Sequence, residues 1–199
     1  MDLVPFDEYV RSLNRKRMSA GVLFYDREDR VLLVQPSYKP HWDVPGGAVD
    51  ADEAPWTTAA REVREEIGLT RPIGRPLVID YLRDDGRFPE GLAFIFDGGL
   101  ISEPQVADLD LTDPEILFAG LYSLDEATVM LKPSLLARLT VALEAVHSGG
   151  LAPTPWPASN RAPAPPRARA RCASSRKPCA SPSPTSSAPH PHAGPPTSM

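Results

Sequence analysis

Four consecutive apolar residues, Val31-Leu32-Leu33-Val34, place the tightest constraint on how this chain folds. The run has strand length and is fenced by the polar turn Asp26-Arg27-Glu28-Asp29 and by Pro36, so it reads as a buried strand. Met18 to Tyr25, rich in β-favouring residues, predicts the strand that pairs with it in a hairpin. Leu77–Leu82 and Leu92–Phe96 predict two more strands, parted by the turn Arg83–Arg87. Helices are predicted from Pro5 to Leu13, Glu53 to Ile67, Leu124 to Leu131 and Ser134 to His147. Pro55 marks the start of the second and Gly68 its end. The last carries Leu135, Leu139, Ala142, Leu143 and Val146 on one stripe and stops at Gly149-Gly150. There is no regular βαβ alternation and no internal repeat. The expected class is α/β, a mixed β-sheet flanked by helices.

Charge divides the chain at residue 150. All 26 acidic residues precede it, against 15 Lys and Arg, which leaves residues 1–150 at about −11; residues 151–199 carry six Lys and Arg and no acid. The same tail holds 13 of the 24 prolines and both cysteines, Cys172 and Cys179. Its Pro/Ala/Ser/Arg bias cannot bury enough apolar surface to offset ordering entropy, so it is expected to be disordered. An out-of-frame translation of a GC-rich gene would give a similar composition break, which the nucleotide sequence would decide. The domain is expected to occupy 1–150. Its acidity argues against a nucleic-acid polymer as partner. It suits a small polyanion where cations mediate the contact. A body without cysteine has no disulfide framework and no thiol nucleophile. Neither a signal-peptide pattern nor a run of about 18 apolar residues occurs, so no membrane span is expected and the expected location is cytoplasmic.

Within the second predicted helix, Glu62, Glu65 and Glu66 stand at i, i+3 and i+4, on one side. Ala59, Ala60, Val63 and Ile67 are expected on another side, facing the core. Three carboxylates on one stripe repel one another. Against an apolar backing they call for cations, and hard divalent cations take oxygen ligands. A solvated face salt-bridged by Arg61 and Arg64 is the alternative that these residues alone leave open.

The wider segment resembles the signature of the Nudix hydrolases: Gly, five residues, Glu, seven residues, then Arg-Glu-apolar-any-Glu-Glu-any-Gly-apolar. Here it reads Gly47, Glu53, Arg61, Glu62, Val63, Glu65, Glu66, Gly68 and Leu69, without departure. At roughly 6% usage per residue type, seven fixed identities arise by chance on the order of a few times in 10⁹ windows. The resemblance directly covers 23 residues, and the flanking elements suit the family over about residues 15–148. It implies an α/β/α sandwich with a mixed sheet and a metal-dependent cleavage of a diphosphate linkage in a nucleotide-like substrate. By matching positions, Glu62, Glu65 and Glu66, with the Gly46 carbonyl, would bind Mg²⁺ or Mn²⁺. Glu53 and Arg61 would orient the helix and its carboxylates. An acid before the final strand, here Glu115, is a candidate base. Tyr38 and Trp42 are candidates to stack on a base, and Lys39 and Arg83 to meet phosphate; packing and solvation are the alternatives for each. The expected partner is a small nucleotide-like diphosphate, with a homodimer left open. No SQPWPFP-like element follows, and Asp84 stands where one branch places a proline, so neither feature narrows the substrate. An isoprenoid diphosphate isomerase would need the missing cysteine. A non-catalytic sensing module would be expected to lose signature carboxylates that this chain retains.

Overall fold

The computed structural model describes residues 4–111 and 113–153. The chain divides into two units, Met1–Pro157 and Ala158–Met199. The expectation of disorder in the tail falls, beyond Pro153, outside the described residues.

The described elements run, in chain order, α1 (Phe6–Ser12), β1 (Arg17–Tyr25), β2 (Val31–Pro36), β3 (Gly46–Ala48), α2 (Pro55–Ile67), β4 (Pro76–Leu82), β5 (Gly91–Leu100), α3 (Glu103–Ala107), β6 (Ile116–Tyr122), α4 (Leu124–Ala127), α5 (Pro133–Ser148) and β7 (Ala152–Pro153). They build one seven-stranded sheet in the order β6-β2-β1-β5-β4-β7, with β3 paired to β1 off that path. The sheet is mixed: β1 runs parallel to β5, and β4 to β7, while the other pairs are antiparallel. The expected α/β class and mixed sheet are thus present. Among the described residues, no helix is long and apolar enough to cross a membrane.

The apolar run in β2 is continuous because both faces of the sheet are covered. Val31 and Leu33, with Leu23 of β1, join the core built against α4 and α5. Leu32 and Val34, with Ala20, Val22 and Phe24 of β1, join the core under α2. Strand alternation therefore sends successive residues into two different cores. The β1–β2 turn is held by Asp26. Its carboxylate accepts the Glu28 and Arg30 N–H groups and the Arg30 side chain, at 2.7–3.0 Å.

Beyond that turn β1 and β2 part, and the chain after β2 fills the gap. Asp43 exchanges both backbone bonds with Val34, at 2.8 and 3.0 Å. The Pro45 carbonyl accepts the Val22 N–H, and Gly46–Ala48 pairs with Gly21–Ser19. A Cβ on Gly46, whose φ is +151°, would lie 2.3 Å from the Ala20 carbonyl oxygen, so only glycine fits this approach.

Several expectations are corrected. Helix α2 begins at Pro55, which leaves Glu53 on the loop before it. Its buried stripe is Thr58, Ala59, Val63, Glu66 and Ile67; Ala60 is exposed. Glu66 follows Val63 by three positions and Ala59 by seven, so helical geometry puts it on the core-facing stripe. Pro36 belongs to β2, at a bulge opposite Ile116. The helix expected through Leu131 stops at Ala127. Strand β7, not among the expected elements, pairs with Val78 and Ile79.

Val63 is 1% exposed, at the centre of the α2 face. Val63→Asp should lower unfolding free energy by more than about 3 kcal/mol or prevent folding, because it buries an unpaired charge. Urea unfolding is the check, and a soluble variant of parental stability would place Val63 outside the core.

Candidate active site

Helix α2 presents its three glutamates at graded depth. Glu66 is buried, Glu62 has 16% of its side chain exposed and Glu65 has 43%. The Gly46 N–H donates to Glu66 Oε2 at 2.8 Å, tying the helix to the segment wedged beside β1. Gly47 lies against Glu62: a Cβ there would fall 2.3 Å from its Oε1, so a larger residue would push the carboxylate aside. The loop that positions both glycines exists because β1 gives them its edge.

Arg61 organises the other carboxylates. Its Nε and Nη2 donate to the two oxygens of Glu53, each at 3.1 Å, a bidentate fork. Its Nη1 donates to Glu62 Oε1 at 2.9 Å and to Glu65 Oε2 at 3.0 Å. The buried Thr58 hydroxyl donates to Glu53 Oε2 at 2.6 Å. Arg61 and then Thr58 hold the Glu53 carboxyl down to about 2, and Glu53 in turn raises the Arg61 guanidinium above its usual range. Burial raises Glu62, with Arg61 opposing.

Among the described residues, Glu66 is bonded by the Gly46 N–H and makes no ion pair. Burial pushes it up to about 8 against the Gly46 N–H, and the charges of Glu62, Asp43 and Asp113 push the same way. Glu62, Glu65 and Glu66 are the acids that helix α2 itself brings together, on the side next to Gly46 and Gly47. Among the described residues, no three His, Cys, Asp or Glu groups are gathered closely enough to grip a metal as they stand. The Arg61 guanidinium holds Glu62 and Glu65 instead. The donor set is nevertheless all oxygen and short of positive charge, which suits a hard divalent cation.

The remaining expected site residues divide. Lys39 is half-buried and donates to Asp43 Oδ2 at 2.6 Å, while Asp43 Oδ1 accepts the Val44 N–H. Desolvation pulls the Lys39 ammonium down, but Asp43 and then Tyr38 outweigh it and raise it. Tyr38 is exposed, its ring centroid 5.3 Å from Lys39 Nζ. Asp43 also adds to the raising of Glu66. Trp42 instead meets Phe118 and Tyr122 edge-on, at 6.0 and 5.2 Å, and packs on the core under α4 and α5. Arg83 is exposed on the β4–β5 turn, near Tyr81. Glu115 is exposed; its backbone N–H donates to Asp113 and its carbonyl accepts the Ser37 N–H. The loop acid whose field reaches Glu66 is Asp113. Asp43, Asp113 and Thr58 were not singled out from sequence. Thr58 lies within the signature's seven unspecified positions, and the two aspartates reach the site only through strand pairing and the β6 loop.

The NUDIX domain model matches residues 15–141. The chain belongs to the NUDIX family. It is 44% identical over 72 residues to diphosphoinositol polyphosphate phosphohydrolase 2 of Rattus norvegicus, covering 36% of this chain and 40% of that protein. It therefore spans well under half the length of the curated relatives it matches. Its fold is similar to the MutT protein from Methanosarcina mazei Go1, with TM-score 0.53 and 25% identity, covering 69% of this chain and 99% of that one. It is also similar to the NUDIX domain of Shewanella oneidensis NrtR complexed with ADP ribose, with TM-score 0.55 and 20% identity, covering 72% and 99%. This last likeness is one of fold alone.

The Glu53 shift has a sign that can be measured. An unfolded glutamate titrates near 4.3. A carboxyl held near 2 in the folded state adds stability above the unfolded value and loses it as pH falls towards 2. Metal-free Glu53→Gln should therefore be less stable than the parent at pH 6, with the gap closing between about pH 5 and pH 2. Melting temperatures in EDTA across that range test it, and a gap independent of pH would mean that the Glu53–Arg61 fork does not set the pKa.

Proposed function

We propose that this chain is a divalent-metal-dependent hydrolase that cleaves a diphosphate linkage in a nucleoside diphosphate derivative or nucleotide. The supporting observation is the buried Glu66 carboxyl, bonded by the Gly46 N–H and carried on one helix with Glu62 and Glu65, which Arg61 holds together. A buried cluster of acids is costly unless positive charge joins it. Glu62, Glu65 and Glu66, with the Gly46 carbonyl, would hold Mg²⁺ or Mn²⁺. The metal supplies charge neutralisation on the diphosphate and lowers the pKa of a bound water.

The chain's own residues then have distinct parts. Arg61 orients Glu62 and Glu65 from its anchor on Glu53. Lys39 brings an ammonium to the edge of the acidic centre, where it can exchange Asp43 for a phosphate oxygen. Tyr38, beside it, offers an exposed ring for a base. Asp113 takes the part of proton acceptor considered for Glu115, because it is the half-buried acid of the loop before β6 while Glu115 is exposed. Trp42 serves the site by packing rather than by stacking on substrate, and Arg83 contributes at most long-range charge. Cytoplasmic placement belongs to the same proposal. A second substrate reading follows from the rat relative's name: a diphosphate on an inositol polyphosphate. Both classes belong in the same screen.

Glu65→Gln and Glu66→Gln keep size and helix propensity. Each should cut turnover by at least ~100-fold without unfolding the protein. Millimolar Mg²⁺ should raise the parent's melting temperature and do so less in the variants. Parental hydrolysis in both variants would sink the metal assignment. The base is tested separately. Asp113→Asn should lower kcat by ~10²-fold or more while Glu115→Gln stays near parental; the reverse order would return the role to Glu115.

A further inference from the structure

We propose that Thr58 is a positioning residue for the carboxylate site: its buried hydroxyl fixes Glu53, and through Glu53 the guanidinium that holds Glu62 and Glu65. The proposal rests on the metal-site reading above.

Thr58 is fully buried in the first turns of α2. Packing alone does not call for it. A β-branched residue carries lower helix propensity than alanine, and a buried hydroxyl costs free energy unless bonded. A helical threonine ordinarily returns its proton to the carbonyl four residues back. Here that carbonyl, of Ala54, is 3.5 Å away, while Glu53 Oε2 is at 2.6 Å. A hydroxyl has one proton, and the short, charge-assisted contact takes it.

The geometry gives this bond a task. Glu53 lies on the loop before the helix, after Asp52 in a left-handed conformation with φ +63°. The fork between Glu53 and Arg61 is planar and bidentate, so the two ions can swing together without breaking it. A further donor, rooted in the buried face of the helix and at 2.6 Å against 3.5 Å for the Asp50 N–H on the same oxygen, stops that swing. With Nε and Nη2 fixed on Glu53, Arg61 Nη1 is left aimed at Glu62 and Glu65. Among the described residues the Thr58 hydroxyl hydrogen-bonds Glu53 and the Ala54 carbonyl and neither of these glutamates, so the influence of its donor passes through Glu53.

The test uses the full chain with Mn²⁺ as probe. Thr58→Val keeps the shape and removes the donor; Thr58→Ser keeps the donor and loses the methyl group. Calorimetry should show Mn²⁺ binding weakened about 10-fold in Thr58→Val, the low end for groups that orient metal ligands, and near parental in Thr58→Ser. The kcat for diphosphate cleavage should fall by a similar factor with KM little changed, and in a Glu53→Gln background Thr58→Val should add nothing. Apo melting curves establish that each variant folds. Parental Mn²⁺ affinity in Thr58→Val overturns the proposal. So does a serine variant as impaired as the valine one, or an undiminished effect in the Glu53→Gln background. If the parent binds Mn²⁺ but cleaves no diphosphate, the hydrolase reading fails while the Mn²⁺ comparison still decides the role of Thr58. A parent that binds no Mn²⁺ overturns both.

Discussion

The hydrogen bond from the Gly46 N–H to the Glu66 carboxylate joins the two halves of this site. It can form because β1 shares one edge between two partners, β2 near the turn and β3 near the start. Had β2 paired along the whole of β1, no backbone segment would lie under the end of α2. The wedge also needs Gly46, since the Ala20 carbonyl occupies the place of a Cβ. A helix facing the sheet with an unbonded carboxylate would bear a desolvation cost; this one has a backbone donor waiting. Fold and site therefore share one constraint, and the same strand pairing that shapes the sheet delivers the donor.

Around that bond, the charges are arranged in two unequal groups. Glu53, Glu62 and Glu65 share Arg61, with Thr58 completing the shell of Glu53. Asp43 has its own cation in Lys39, at 2.6 Å, whereas the buried Glu66 is bonded by the neutral Gly46 N–H. The acids around Arg61 are ion-paired within the protein, while Glu66, at a buried point, has a neutral donor. A purely structural carboxylate face would show the first pattern throughout. The asymmetry is what favours an added cation over a solvated surface.

The sequence carried the strands and helices whose apolar pattern is local. Val31–Val34, Met18–Tyr25 and the α5 stripe were legible because burial there follows periodicity. Strand β3 was not, because Gly46–Ala48 has no pattern of its own; it is a strand only because β1 offers an edge. Strand β6 was seen only as a final strand following the loop, and its extent depends on its pairing with β2. The signature located Glu62, Glu65, Glu66, Glu53 and Arg61, but not their depth. Placing the three glutamates opposite the core residues overlooked that Glu66 is one turn from Val63. No local pattern announces the backbone turn in which Asp113 accepts the Glu115 N–H. That turn leaves Glu115 in solvent.

The arrangement of Arg61 resolves an apparent conflict in the site. A guanidinium bonded to two of the expected metal ligands looks like a competitor for them, and in the metal-free protein it is. Yet its fork on Glu53 fixes where it competes: Nη1 alone reaches Glu62 and Glu65, and Glu65 is the more exposed of the two. A cation entering beside Glu66 would have to displace one donor contact at each glutamate, without disturbing the bidentate pair behind it. The arginine thus restrains mutually repelling carboxylates from a fixed anchor on Glu53. A lysine could neutralise the same acids, but its single ammonium could not grip Glu53 with two nitrogens and present a third.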